Sequence, residues 1–241
     1  MKHLPLILLV PLIATLPAFG QTSSGAGALP VSGWMVIGDK AKVYGPKEES
    51  GTILFSGAGF GNKGKTMAAL FPKTTLDDGQ ALELSAKVTF TGVSGMGNFR
   101  FGIFKRRSLD HPRGWFGYCA YAGIDKHFPK GGLYGSQPEN DVIFDSSTAR
   151  LLGEATGAFR NITDGSYNIT MRLTKISAGI ECVASMTPVD DPNKSVMEYT
   201  VTDDAPSTLQ FDSLGFSTHE LLSTESFELK DVVVQVASPA K

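Results

Sequence analysis

Cysteine, histidine and net charge are all scarce in this chain. It has two cysteines and four histidines in 241 residues, and its 22 Lys and Arg nearly balance 24 Asp and Glu. The histidines show no H-x-x-x-H spacing and the cysteines lie far apart, which argues against a zinc site. The sequence has no basic stripe and no basic amphipathic helix, so neither nucleic acid nor a membrane surface is an expected partner.

Long apolar runs are also absent beyond the N-terminus. The apolar stretch Leu4–Leu16 follows a short basic start, and the small residues Ala18 and Gly20 come shortly before Gln21. A run of this length is too short to span a bilayer comfortably, and the pattern predicts a secretory signal peptide over residues 1–20. We therefore expect a secreted or periplasmic protein with no transmembrane segment after cleavage. The Gly-, Ser- and Ala-rich residues 21–33 are interpreted as a flexible leader.

The two cysteines leave one pairing to consider. Cys119 and Cys182 both lie in strand-like runs, and an oxidising compartment favours a disulfide between them. Such a bond requires their Cα atoms to approach within about 7 Å. The alternative is two small buried side chains that never meet. The sequence leaves both alternatives open.

The stretch GFGNKGKT, Gly59–Thr66, matches the nucleotide-binding pattern G-x-x-x-x-G-K-[ST]. In that pattern the phosphates bind at the N-terminus of the helix that follows the loop. Here Pro72 interrupts the next apolar run after five residues, and proline disrupts a helix interior. We interpret the stretch as a glycine-rich β turn and expect no bound nucleotide.

Short runs of alternating apolar and polar residues occupy the chain from Trp34 onward. In Ala81–Phe90, for example, every second residue from Leu82 is apolar. This period of two is typical of strands with one buried face. Further runs of this kind are Asn98–Lys105, Trp115–Gly123, Tyr167–Ile176, Ile180–Met186 and Phe227–Val236.

Helical patterns are few by comparison. Only Ser147–Ala155 and Thr218–Ser223 look capable of one or two helical turns, whereas Ser177–Gly179 has the composition of a hairpin turn. Many short strands with little helix predict an all-β fold, a two-sheet antiparallel β-sandwich or jelly roll. We place this single domain at residues 34–237, with 238–241 as a tail.

The order of the later strands resembles the concanavalin A-like lectin/glucanase superfamily, including laminin-G-like modules. The resemblance rests on the hairpin Tyr167–Met186, the strand Leu209–Thr218 and the terminal apolar-Asp-Val-x-Val run within Leu229–Val236. It covers most of residues 34–237. It implies a two-sheet jelly roll with a concave face, and a glycan or polysaccharide as the commonest class of ligand.

Candidate ligand-binding residues are concentrated in one aromatic and basic region. Sugar recognition needs aromatic ring faces and planar polar groups, and the candidates here are Arg100, His111, Trp115, Tyr118, Tyr121 and His127. If the apolar residues that alternate with Arg100 face the core, Arg100 faces away from it. We interpret Arg100 and Tyr118 as a pair on the exposed sheet that would bind an acidic sugar. The alternatives are ordinary aromatic packing and a solvated basic hairpin tip.

Catalysis has less support than binding. Glycosidases of this superfamily carry paired carboxylates on one strand, but Glu139, Asp141 and Asp145 lack the final glutamate of that pattern. A lyase would need Arg100 with Tyr118 and one of the candidate histidines. The resulting hypothesis is an exported carbohydrate-binding or surface-interaction module without catalytic residues. The alternatives are a polysaccharide lyase or glycoside hydrolase on the same fold, and a purely structural envelope protein. No cofactor is expected. Carboxylates and loop carbonyls could supply the oxygen ligands of a structural calcium ion, but no loop has the ligand spacing of an EF-hand site.

Overall fold

The protein consists of antiparallel strands throughout the part of the chain that the structure describes. This structure is a computed structural model, and it describes residues 27–37, 47–49, 52–56, 66–106, 114–124, 132–136, 144, 149–154, 160–219 and 222–237. Within these ranges there are fifteen strands and no helix: β1 (Gly27–Leu29), β2 (Ser32–Ile37), β3 (Lys47–Glu49), β4 (Thr52–Ser56), β5 (Thr66–Thr75), β6 (Ala81–Thr91), β7 (Phe99–Arg106), β8 (Trp115–Ala122), β9 (Gly132–Ser136), β10 (Ala149–Glu154), β11 (Gly165–Ile176), β12 (Gly179–Pro188), β13 (Met197–Asp203), β14 (Gln210–Thr218) and β15 (Ser226–Ala237).

The strands form two sheets. Sheet A has the order β13-β12-β11-β6-β15-β4-β3, and β1 pairs with β15 beside this row. Sheet B has the order β10-β9-β8-β7-β14-β5-β2. Neighbouring strands are antiparallel in both, so the two-sheet antiparallel sandwich predicted from the sequence is confirmed. The predicted hairpin turn is also confirmed, since β11 and β12 pair up to Ile176 and Gly179.

The core lies between the sheets. The alternating apolar residues of β6, from Leu82 to Phe90, are buried as their spacing predicts. Phe90 of sheet A meets Phe99 of sheet B edge-to-face, with ring centroids 5.2 Å apart. Phe99 also meets Phe227 of β15 at 6.0 Å. These aromatic contacts hold the sheets together by removing large apolar surfaces from water.

The two sheets differ on the faces that point away from this core. On sheet A that face is polar: Arg172 and Glu83 lie 3.6 Å apart, and Thr170 hydrogen-bonds Ser185 at 2.8 Å. A polar outer face is the usual condition of an antiparallel sheet beside water. On sheet B, a second buried apolar cluster occupies the outer face, and we call it the outer cluster: Ala68, Phe104, Trp115, Cys119, Tyr121 and Phe144.

Several sequence predictions about local structure are wrong. Residues 149–154, predicted to be helical, form strand β10 because they pair with β9 at the edge of sheet B. Strands β1 and β2 begin inside the predicted leader 21–33, so the sandwich starts earlier than expected. Residues 220–221 of the other predicted helix lie outside the described residues.

The end of the nucleotide-binding pattern lies in a strand. Thr66 is the first residue of β5, which continues through Pro72 to Thr75 and pairs with both β2 and β14. The helix that this pattern requires after its threonine is therefore replaced by a strand in sheet B. Residues 57–65, which hold most of the pattern, lie outside the described residues. Among the described residues, no helix is long and apolar enough to cross a membrane.

The two cysteines are not bonded to each other. Both are free and buried, Cys119 in the outer cluster on sheet B and Cys182 in the core on sheet A. Because the two side chains lie on opposite sides of sheet B, the disulfide considered from the sequence does not form. The alternative of two separate buried thiols is the one that the structure shows.

Candidate functional site

The pairing of β7 with β8 brings the candidate residues of sheet B together. Arg100 lies opposite Tyr121, Gly102 opposite Cys119 and Phe104 opposite Gly117. Directly opposed residues of antiparallel strands point to the same side of a sheet. All of these side chains therefore share the outer face, since the residues that alternate with them on β7 are buried in the core.

Arg100 is the charged group beside Tyr121 on this face. Its guanidinium carbon lies 4.5 Å from the centre of the Tyr121 ring, within the range of a cation–π interaction. Its Nε donates a hydrogen bond to Oδ1 of the buried Asn98 at 2.7 Å, and its Nη1 donates to the carbonyl oxygen of Phe144 at 2.8 Å. The side chain remains partly exposed. Within the described ranges, no carboxylate forms an ion pair with it.

Phe144 covers part of this face. Its carbonyl oxygen accepts hydrogen bonds from Arg100 and from the hydroxyl of Tyr121, both at 2.8 Å. Its ring contacts Phe104 edge-to-face, with centroids 5.3 Å apart. Its φ of 56° lies in the left-handed region, which a bulky residue rarely adopts. A guanidinium and a phenol thus converge on one oxygen, which a strained backbone holds in place.

The Phe104 ring packs directly against the backbone of Gly102. A Cβ atom at position 102 would lie 2.7 Å from the Phe104 ring and 2.3 Å from the carbonyl oxygen of Tyr118. The absence of a side chain therefore lets the Phe104 ring lie down against the sheet. This packing brings Phe104 against Phe144 and, at 6.4 Å between ring centroids, against Trp115.

The thiol beside Arg100 is not suited to nucleophilic chemistry. Burial raises the pKa of Cys119 to about 12, and the neighbouring Arg100 offsets this only in part. Cys119 is 3% exposed and stays protonated at neutral pH. It serves as a small apolar member of the outer cluster.

Tyr118 is not on the exposed face, and its predicted pairing with Arg100 is wrong. Its side chain is 1% exposed and lies in the core, where its hydroxyl donates to Oδ2 of Asp203 at 2.8 Å. Burial, reinforced by Cys182 and Asp203, raises the pKa of Tyr118 far above its ordinary value. The ring therefore offers no surface to a sugar, and the phenol cannot serve as the base of a lyase.

Asp203 joins the two sheets at one side of the sandwich. Besides Tyr118 of β8, its carboxylate accepts from Arg150 of β10 and from the backbone N–H of Ala205. The Asp203 side chain is almost completely buried. This network links edge strand β13 of sheet A to sheet B, and its role is structural.

The other predicted ligand-binding residues divide into two groups. Trp115 and Tyr121 lie on the outer face as their alternation implies, but both are fully buried in the outer cluster. Both rings pack inside the outer cluster, so neither is exposed for stacking against a sugar. His111 and His127 lie outside the described residues, as do Glu139, Asp141 and Asp145.

Three residues of this face were not singled out from the sequence. Asn98 continues the alternation of Arg100, Gly102 and Phe104, so extending that period by one step would have found it. For Phe104 the sequence predicts only a place in the alternation of β7. Nothing in the pattern around Phe144 indicates that its carbonyl meets β7 and β8.

The described residues contain no metal site. No group of three or more His, Cys, Asp or Glu side chains among them is placed to hold a metal ion. The side chains of the outer cluster are aromatic or small, whereas calcium and similar cations require several oxygen ligands. The residues of this face therefore do not fit a metal.

Comparison with solved structures agrees with this architecture. The carbohydrate recognition domain of Emp46p in its metal-free form superimposes with a TM-score of 0.53 at 13% identity, covering 86% of this chain and 89% of that chain. Its potassium-bound form gives a TM-score of 0.50 at 12% identity with the same coverage. The VIP36 exoplasmic/lumenal domain, bound to Ca²⁺ and Man3GlcNAc, gives 0.49 at 14% identity, covering 81% and 82% of the two chains.

This chain is a concanavalin A-like jelly roll. No protein-family model matches it, and no curated protein sequence matches it. The jelly roll has two sheet faces turned away from the core, the outer faces of sheet A and sheet B. Only the second combines buried aromatic side chains with a partly exposed guanidinium among the described residues.

Proposed function

We propose that this jelly roll is an exported carbohydrate-binding module whose ligand binds the outer face of sheet B. One observation carries the proposal: the outer face of sheet B is built from aromatic and small residues around Arg100, whereas that of sheet A is polar. The outer cluster is buried, partly beneath Phe144, so a ligand would meet this face first at the partly exposed Arg100. Apolar side chains with a few convergent polar groups are the usual composition of a ligand site.

Two further points support this proposal. Emp46p, whose solved domain shares the fold, is described as having a carbohydrate recognition domain. The N-terminal sequence has the features of a secretory signal peptide, which would bring the protein to compartments where polysaccharides occur. The position of Tyr118 in the core removes one of the three residues that the lyase alternative requires, which favours binding without turnover at this face.

The proposal is tested by measuring binding of the purified protein to a panel of plant and algal polysaccharides. Affinity electrophoresis should show retardation by at least one of them, and no shortened or unsaturated product should accumulate on prolonged incubation. Product formation would instead establish an enzyme. Failure to bind any member of the panel would favour a purely structural envelope protein.

The location of the site is tested by NMR with a bound oligosaccharide from the same panel. Backbone amide shifts should change most on β7 and β8 and at Phe144, which line the outer face of sheet B. Strands β11 and β12 provide the internal reference, because their outward side chains form the polar face of sheet A. Shift changes centred on β11 and β12 would refute the assignment of this face.

A further inference from the structure

The polar groups of the outer face have an unusual arrangement. Arg100 Nη1 and the Tyr121 hydroxyl both donate to one acceptor, the carbonyl oxygen of Phe144. Two donors that converge on a single oxygen, one of them permanently charged, form a binding point for an oxygen carrying negative charge. In this structure a neutral carbonyl occupies that point.

Among the described residues, no carboxylate balances the charge of Arg100. Its Nε is committed to the neutral amide of Asn98. Arg106, on the same face of β7, lies 3.7 Å from Asp212 and is thereby compensated. Arg100 therefore leaves the described part of the face with a net positive charge. A partly buried, uncompensated guanidinium attracts carboxylates and sulfates more strongly than neutral hydroxyls.

The Phe144 carbonyl oxygen, which accepts from both donors in this structure, competes weakly with an anionic oxygen for this point. Phe144 reaches it only with a φ of 56°, a left-handed conformation that is costly for a residue with a bulky side chain. A neutral carbonyl also accepts weaker hydrogen bonds from a guanidinium than an anionic oxygen does. Replacing the carbonyl by an anionic oxygen would strengthen both hydrogen bonds and release the strained backbone.

We infer that Arg100 and Tyr121 form an anion-binding point which selects acidic sugars, and that the Phe144 carbonyl occupies it in the free protein. The inference rests on the proposed carbohydrate-binding function and specifies its ligand class. The ligand carries a carboxylate, as in a uronic acid, or a sulfate ester. One anionic oxygen takes the place of the Phe144 carbonyl between the two donors, and the rest of the sugar lies against the part of the outer cluster that Phe144 covers in the free protein.

The test compares ligands that differ only in charge. Polygalacturonate and its fully methyl-esterified form share one backbone, and a sulfated galactan with its desulfated counterpart provides the second pair. By calorimetry, the purified protein should bind at least one charged form about tenfold or more tightly than the neutral partner, as expected for a charge-assisted hydrogen bond. Which pair shows the preference distinguishes carboxylate from sulfate. Equal binding within both pairs would overturn the inference.

Variants assign the preference to the two donors. Arg100→Gln should abolish the preference for the charged form. Arg100→Lys should retain part of that preference, because lysine keeps the positive charge but lacks the planar guanidinium group. Tyr121→Phe keeps the buried ring and removes only the hydroxyl, so it should weaken the charged ligand severalfold. Arg172→Gln is the matched control, since it removes a guanidinium from the outer face of sheet A.

The outcomes separate this inference from the function on which it rests. If Arg172→Gln reduces the preference as much as Arg100→Gln does, the effect is one of general charge and the anion-binding point is refuted. If the protein binds only neutral polysaccharides, the anion-binding point fails while the carbohydrate-binding function stands. If no polysaccharide binds, both fail. Circular dichroism spectra matching the parent protein establish that each variant is folded.

Discussion

At the scale of single residues, Asp203 shows how a buried charge is accommodated in this sandwich. Its carboxylate accepts hydrogen bonds from Tyr118 and Arg150, and its side chain is 3% exposed. A buried carboxylate is tolerated when hydrogen bonds replace the water that it has lost. These bonds extend from β13 of sheet A to β8 and β10 of sheet B, so the residue contributes to closing one side of the sandwich.

The substitution Asp203→Asn should destabilise the protein by about 2–3 kcal/mol in urea unfolding. It removes the partner of the Arg150 charge, but the Arg150 side chain is 37% exposed, so water compensates for part of the loss. The adjacent Asp204→Asn is the matched control, because Asp204 lies 3.7 Å from the same guanidinium but is 84% exposed. This control should change the free energy of unfolding by less than about 0.5 kcal/mol. Equal effects of the two substitutions would contradict the role given to the buried network.

At the scale of strands, the pairing of β7 with β8 determines which side chains meet. Alternation along β7 predicts correctly that Arg100 points away from the core, because that depends on one strand alone. Which residue of β8 lies beside Arg100 depends on the register between β7 and β8. The observed register places Tyr121 opposite Arg100, and Tyr118 points into the core. Shifting a strand by one residue exchanges its two faces, and no local pattern fixes that shift.

Strand β10 shows a second limit of the same kind. The sequence around Arg150 contains leucines, alanines and a glutamate, which favour helix in isolation. The segment nevertheless pairs with β9 and contains a bulge between Leu151 and Gly153. Tertiary pairing overrides intrinsic propensity here. The fold class was predictable because it follows from many alternating runs together, whereas the site depends on a few contacts between distant segments.

The close packing of β7 against its own aromatic side chain predicts a strong effect of Gly102→Ala. The new Cβ would lie 2.3 Å from the Tyr118 carbonyl oxygen and 2.7 Å from the Phe104 ring, so the backbone or the ring must move. We expect a loss of at least about 2 kcal/mol in the free energy of unfolding. Gly153→Ala on edge strand β10 is the control, because the three atoms nearest to its Cβ all belong to the Val201 side chain, the first of them at 3.3 Å. A loss for Gly102→Ala no larger than for Gly153→Ala would contradict the packing described for the outer face.

At the scale of the whole molecule, sheet B is covered by apolar side chains on both of its faces. The core lies on one side, and the outer cluster lies on the other. Both depend on the same strand backbones, since residues of β7 and β8 alternate between them. Loss of the outer cluster should therefore accompany loss of the sheet, and the sandwich should unfold as one cooperative unit.

The two tryptophans of the chain allow this cooperativity to be measured from each side of sheet B. Trp34 packs against the core, stacked on Phe216 with ring centroids 6.1 Å apart, whereas Trp115 belongs to the outer cluster. In Trp34→Phe only Trp115 reports, and in Trp115→Phe only Trp34 reports. In each variant, urea unfolding followed by fluorescence should coincide with unfolding followed by far-ultraviolet circular dichroism. Comparing two probes within one variant cancels any change in stability caused by the substitution itself. If Trp115 fluorescence in Trp34→Phe changed at lower urea than the circular dichroism, the outer cluster would be a separate, weaker unit that can open while the sandwich remains folded.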